Sequence, residues 1–177
     1  MKPIRLCLFA VSLAASSSVL AQTQAPERTQ IGDFSDWSAW SYVGGLVAPD
    51  AGGTVCYIYS EPKELLPPKL DHGKVSFAVS KSPAEGIQAE ANFVAGYTLK
   101  ESSAVTVDID GRKFTMFTKG DSAWLVNPGE EADLLTAMKA GKKMTVTAVS
   151  GKNNDTVYSY SLSGVTAATN KMQEVCK

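Results

Sequence analysis

The sequence holds a single histidine, His72, and only three cysteines, and it has no excess of positive charge: 17 lysines and arginines stand against 18 aspartates and glutamates in 177 residues. That balance argues against nucleic-acid binding, which calls for a basic patch. One imidazole and so few thiols make a poor zinc-ligand set. A G-x-S-x-G elbow is missing, and Gly44-Gly45 and Glu85-Gly86 lack phosphate-loop spacing, so they read as turn glycines. Neither an internal repeat nor an inter-domain linker is visible. Beyond the N-terminus, no apolar run approaches the ~20 residues of a membrane helix.

What is present begins with an export signal. Lys2 and Arg5 precede an apolar run from Leu6 to Leu13, and Val19-Leu20-Ala21 offers a small-residue cleavage site before polar Gln22. Residues 1–21 therefore read as a cleaved signal peptide. An uncleaved anchor is the alternative, disfavoured by the shortness of the run and by Ser12 and Ser16 to Ser18. Cys7 lacks a small-residue lipobox in front of it, which disfavours a lipoprotein. Lys2 and Arg5 leave with the signal, so 15 basic residues face 18 acidic ones, a net charge of −3. Of the mature chain, residues 22–30 read as a flexible polar leader and 31–177 as one domain. Cys7 also leaves, and Cys56 and Cys176 remain. In an oxidising compartment such a pair reads as a disulfide, with free thiols or a metal pair as the alternatives.

The patterning is that of short strands separated by turn residues. Trp37 to Val43, Thr54 to Ser60, Val75 to Ser80, Ala91 to Leu99 and Ser122 to Val126 are strand candidates, and Pro62, Pro67 and Pro68 make the intervening segment irregular. Asp110-Gly111 marks a hairpin between Ala104–Ile109 and Arg112–Thr118. A two-residue turn pairs Ile109 with Arg112, Asp108 with Lys113, Val107 with Phe114, Thr106 with Thr115 and Val105 with Met116. This register gathers the apolar residues on one face and the Asp/Lys and Thr/Thr pairs on the other. After Asn127-Pro128-Gly129, acidic Glu130, Glu131 and Asp133 open a short helix that Gly141 stops. Lys139, Lys142 and Lys143 cluster at its end, where they complement the helix dipole. Lys143–Ser150 and Val157–Leu162 form a second hairpin. Val165, Ala168, Met172, Val175 and Cys176 share one face of a C-terminal helix, which brings Cys176 to the sheet near Cys56. The expected fold is mainly β: a compact antiparallel β-sandwich or flattened barrel of about eight strands, with one short internal helix and a C-terminal helix.

Candidate chemistry is sparse. His72, after two prolines, reads as a solvated loop histidine and not a catalytic base. Asp108-Ile109-Asp110-Gly111 opens like a calcium loop, but Arg112 and Lys113 follow where ligands are required. Glu130 with Glu131, or Asp33 with Asp36, could form a glycosidase pair only at a set separation across a cleft, and a capping role suits the first pair better. By strand alternation Trp40 and Tyr42 share a face opposite Trp37, and Tyr57 and Tyr59 share one opposite Cys56 and Ile58. These four aromatics are candidates for an exposed binding patch. Burial under helices or loops is the alternative.

Gly96-Tyr97, Val107-Asp108-Ile109-Asp110-Gly111, Phe114-Thr115-Met116-Phe117, Ala123-Trp124-Leu125, Ala137-Met138-Lys139-Ala140-Gly141 and Tyr160-Ser161-Leu162-Ser163-Gly164, ahead of Cys176, resemble the invasion-associated locus B family in order and spacing. The likeness spans most of residues 31–177, is densest from Gly96 onward and is weakest from Glu61 to Glu90. It implies an exported, β-rich envelope protein of Gram-negative bacteria, some members being linked to host-cell invasion, and it supplies no established active site to carry over. The expectation is a periplasmic, outer-membrane-associated or secreted protein without cofactor or metal. It would be non-enzymatic and would bind a protein or cell-surface partner. It has no membrane span once the signal is removed. One rival is a carboxylate-dependent enzyme acting on cell-wall or glycan substrates, which requires two convergent acids in a cleft. Another is a chaperone-like factor, which requires a large exposed apolar groove.

Overall fold

The computed structural model describes residues 26–177. The expected signal peptide and the first residues of the expected leader lie outside the described residues. The strands are β1 (Thr29–Phe34), β2 (Trp37–Val43), β3 (Thr54–Ser60), β4 (Glu64–Leu66), β5 (Ser76–Ser82), β6 (Ile87–Val94), β7 (Ala104–Ile109), β8 (Arg112–Lys119), β9 (Ser122–Leu125), β10 (Lys143–Val149) and β11 (Asp155–Ser161), and the helices are α1 (Glu131–Ala140) and α2 (Val165–Val175). The strands form one open antiparallel sheet in the order β1-β2-β3-β5-β6-β9-β8-β7-β10-β11-β4. The mainly antiparallel β fold with one internal and one terminal helix is thus the observed one, with more strands than expected. β7 and β8 pair in the register that Asp110-Gly111 dictates, from Ile109 opposite Arg112 to Val105 opposite Met116. The two turn residues take positive φ of 48° and 97°, which a two-residue hairpin turn of this hand requires.

The sheet folds over on itself. β5 and β11 are far apart in strand order, yet Phe77 meets Tyr160 edge-on at 6.1 Å between ring centroids. Phe93 of β6 meets Tyr158 of β11 at 5.5 Å. Trp37 of β2, 1% exposed, donates its indole N–H to the Ser161 carbonyl at 2.9 Å. The inner face of the fold is therefore a single core to which nearly every strand contributes alternate residues. α2 lies on β1, β2 and β3 and buries Val165, Ala168, Thr169 and Met172. Its end is joined to β3 by the Cys56–Cys176 disulfide, with Cα atoms 6.0 Å apart. Val175, expected on the buried face, is 43% exposed, because the chain leaves helical geometry at Cys176 to reach β3.

Three elements differ from the sequence reading. β1 begins at Thr29, so the last two residues of the expected leader are strand. β4 is a three-residue edge strand set between prolines, paired with β11 from Ser159 to Val157. An edge tolerates flanking prolines because only one side of the strand is hydrogen-bonded. The strand expected over Ala91–Leu99 is instead β6, which starts at Ile87 and ends at Val94. Gly96 lies against the backbone of residues 72–74, where a Cβ would overlap His72 O and Lys74 N, so this close approach ends the strand.

Candidate functional site: the outer face of the sheet and its groove

Since Trp37, Ala39, Cys56 and Ile58 point into the core, alternation sends Trp40, Tyr42, Tyr57 and Tyr59 outward, where all four are half-buried. The register orders this face into rows. Trp40 opposes Tyr57, which opposes Ser80, which opposes Glu90. Next to it, Tyr59, Ala78, Asn92, Trp124 and Phe117 follow one another across β3, β5, β6, β9 and β8. Aromatic rings thus flank a strip of small and polar side chains. Tyr42 and Tyr57 lie 6.3 Å apart, and Phe117 stacks on Trp124 at 5.9 Å. Partial burial raises the phenols of Tyr42 and Tyr57. Burial and a hydrogen bond to Glu61 push Tyr59 up to about 12, so all three phenols stay neutral donors at physiological pH.

At the Trp124 end this face opens into a groove of about 890 Å³. β6 and β9 pair only from Asn92 to Val94. Beyond that point β9 turns away through Asn127-Pro128-Gly129 into α1, and the sheet splits. Ile87 to Glu90 of β6 form one wall, Glu131 and Pro128 the other, and Phe117 and Trp124 lie between. Val47 overhangs it from the β2–β3 loop. That loop is held by one carboxylate. Glu85 accepts the N–H groups of Leu46, Val47 and Ala48 at 2.6–3.0 Å and the Ser82 hydroxyl at 2.6 Å. These bonds, Ser82 first, draw its pKa down to about 2.

Glu131 does not cap its own helix, contrary to expectation; Asn127 caps the turn before α1 by accepting the Gly129 N–H. The Glu131 side chain reaches across the split instead and accepts the Ala91 N–H of β6 at 2.8 Å, the ladder bond that β9 no longer supplies. Burial pushes its pKa up to about 7; the Ala91 bond opposes this and the Glu90 charge adds to it. Glu90 is itself raised by burial and then by Glu85.

The remaining candidates have structural partners. His72 is 7% exposed and not solvated: Nε2 faces the Pro67 carbonyl and Nδ1 the Tyr158 hydroxyl, each at 3.0 Å. Tyr158 continues to Tyr97 at 2.6 Å, and Tyr97 to Thr156 at 2.7 Å, a polar string that satisfies groups trapped inside the sheet. Asp108 accepts the Gly111 N–H and Asp110 the Lys142 N–H, so both turn carboxylates are engaged by backbone. Asp36 pairs with Lys63 at 2.6 Å, which lowers its pKa, while Asp33 accepts from Gln30 at 2.6 Å. Among the described residues no group of three or more His, Cys, Asp or Glu side chains could hold a metal ion, and no helix is long and apolar enough to cross a membrane.

Glu90, Trp124 and Phe117 were not among the site candidates read from sequence. The two aromatics carried a readable signal: Ala123 and Leu125 face the core, which leaves Trp124 outward, and the hairpin register extended by one pair turns Phe117 outward too. The splitting of the sheet, which makes a groove of these side chains, has no counterpart in local sequence.

A family model described as invasion associated locus B (IalB) protein matches residues 47–173. A crystal structure of invasion associated protein b from Bartonella henselae has a similar fold, with a TM-score of 0.54 and 14% identity, over 86% of this chain and 98% of that one. A search of curated proteins returns no match.

Proposed function

The chain belongs to the invasion associated locus B family, and from that premise we propose that it is an exported, non-catalytic binding protein of the cell envelope that meets a protein or cell-surface partner through the outer face of its sheet. The observation that carries this reading is the pair of cross-strand rows running from Trp40, Tyr57 and Tyr59 to Trp124, Phe117 and the groove. Aromatic rings with one polar tip suit an interface, because they bury large area at little conformational cost while their hydroxyls still find partners. The export step supposes cleavage after Ala21, and the Cys56–Cys176 bond suits an oxidising compartment. Photo-crosslinking residues placed at positions 57 and 124 in cells should capture a partner that the same residue at Lys152 does not. Equal capture at all three positions, or none at either face position, overturns the reading.

One observation favours a second reading. Glu131, pushed up to about 7, lines the same groove as Glu90 beside a half-exposed tryptophan, a pairing of acids that a glycan-cleaving enzyme could use. Turnover of a cell-wall glycan by the mature protein, lost in Glu131→Gln with the fold intact, would replace the binding reading with that one. The Ala91 N–H on Glu131 gives this carboxylate a structural task already, so binding is preferred.

A further inference from the structure

The split between β6 and β9 leaves more than a space. Between Ile87 and Glu90, β6 pairs with β5 at those two residues, across a register shift that leaves Gln88 and Ala89 unpaired; on the groove side the ladder stops at Asn92. Ala91 marks the direction in which this edge points, since its N–H crosses the split to Glu131. N-terminal to it, no strand among the described residues pairs with the groove side of β6. A sheet interior seldom exposes an unpaired edge, because unused N–H and C=O groups template another strand. Here the edge is roofed by Val47 and floored by Trp124 and Phe117, the latter 47% exposed.

The charges on the walls are one-sided near the edge. Glu90 projects from β6 and Glu131 from the facing α1, and each carboxylate lies in the unfavourable field of another: Glu90 in that of Glu85, Glu131 in that of Glu90. Lys119, the one basic side chain lining the groove among the described residues, stands a row beyond Phe117 on β8, opposite Ser122. A cation between Glu90 and Glu131 would relieve the repulsion and could sit against the indole of Trp124.

We propose, resting on the binding reading above, that this groove takes an extended peptide segment which adds as a strand to the free edge of β6 and places a lysine or arginine between Glu90 and Glu131, with apolar neighbours on Trp124 and Phe117. Main-chain bonds to β6 supply affinity and the acidic pair supplies selectivity, the division of labour in strand-addition recognition. A glycan would use the aromatics and the acids but would leave the β6 edge unmatched.

The test is selection from a display library of random decapeptides on the mature disulfide-bonded protein, followed by titration of the enriched peptides. Enriched sequences should carry a basic residue flanked by apolar ones. Glu90→Gln with Glu131→Gln should weaken them at least about tenfold. N-methylation of alternate peptide amides should abolish binding in one of its two phases, and binding should slow amide exchange at Ile87 to Glu90. Glu131→Gln keeps an acceptor for Ala91, so loss of the fold is not the expected route to loss of binding, and a melting temperature no lower than the parent's checks this. Enriched peptides without a basic residue, insensitivity to N-methylation, or binding of a β-linked oligosaccharide in place of any peptide overturns the proposal. If crosslinking from position 57 or 124 still captures a partner, the binding reading survives that failure; if it captures none, both fall.

Discussion

Glu131 lines the groove and Glu85 holds the loop that overhangs it, and their surroundings drive the two glutamates in opposite directions. Glu85, drawn down to about 2 by hydrogen-bond donors, lends stability that is present above its ordinary value near 4.5 and lost as pH falls toward 2. Glu85→Gln should remove that acid limb and speed amide exchange at Leu46, Val47 and Ala48 at neutral pH. Hydrogen exchange followed by NMR checks both. Glu131 is raised from 4.5 to about 7, so between those values the folded protein binds more protons than the unfolded chain. Stability should therefore fall as pH rises through that window and level off above it. Glu131→Gln keeps the acceptor for Ala91 without the charge. It should be more stable than the parent at pH 8 by about 1–2 kcal/mol, discounted for partial exposure, and should show no such gain at pH 4. Urea midpoints at the two pH values decide it. Neither behaviour was legible in the sequence. Glu131 reads as a helix-cap acid from its position after Pro128-Gly129, and its partner Ala91 is 40 residues away.

At the scale of elements, the pieces with strong local chemistry form where the sequence places them. The β7–β8 hairpin follows from Asp110-Gly111, and β10–β11 from its alternating faces. Of the elements that differ, β4 and β6 have limits that depend on a neighbour: β4 pairs with the outer edge of β11, and β6 ends where Gly96 meets residues 72–74. Entry into α2 is a further case. Gly164 has φ 98°, and a Cβ there would overlap the Phe34 carbonyl at the end of β1. Gly164→Ala should cost about 2–3 kcal/mol, from left-handed backbone and displaced β1 together. In a domain of this size that lowers the melting temperature by roughly 5–10 °C, measurable by calorimetry.

For the molecule as a whole, the terminal strands of the sheet are β1 and β4, and the folded-over sheet is fastened near them by side chains. The Asp36–Lys63 pair and the Ser60 hydroxyl on the Asp36 carbonyl join the β1–β2 turn to the chain entering β4. The disulfide closes a separation of 120 residues. In the chain-entropy picture, breaking a loop of that length costs about 4–5 kcal/mol. The Cys56→Ser, Cys176→Ser variant should therefore melt roughly 10–15 °C below the parent, and a reductant should produce the same shift in the parent but none in the variant. Scanning calorimetry with and without reductant tests this.

The sequence by itself determined the secondary-structure class, the register of the β7–β8 hairpin, the shared faces of Trp40 with Tyr42 and of Tyr57 with Tyr59, and the reading of Cys56 and Cys176 as a pair. Those follow from period-two alternation, turn chemistry and parity, all local or countable. Only the tertiary structure decided that His72 is buried, that Glu131 bonds to β6, and that the sheet parts between β6 and β9 to leave a groove. Such features depend on which segments distant in sequence become neighbours, and a residue's own pattern carries no record of that.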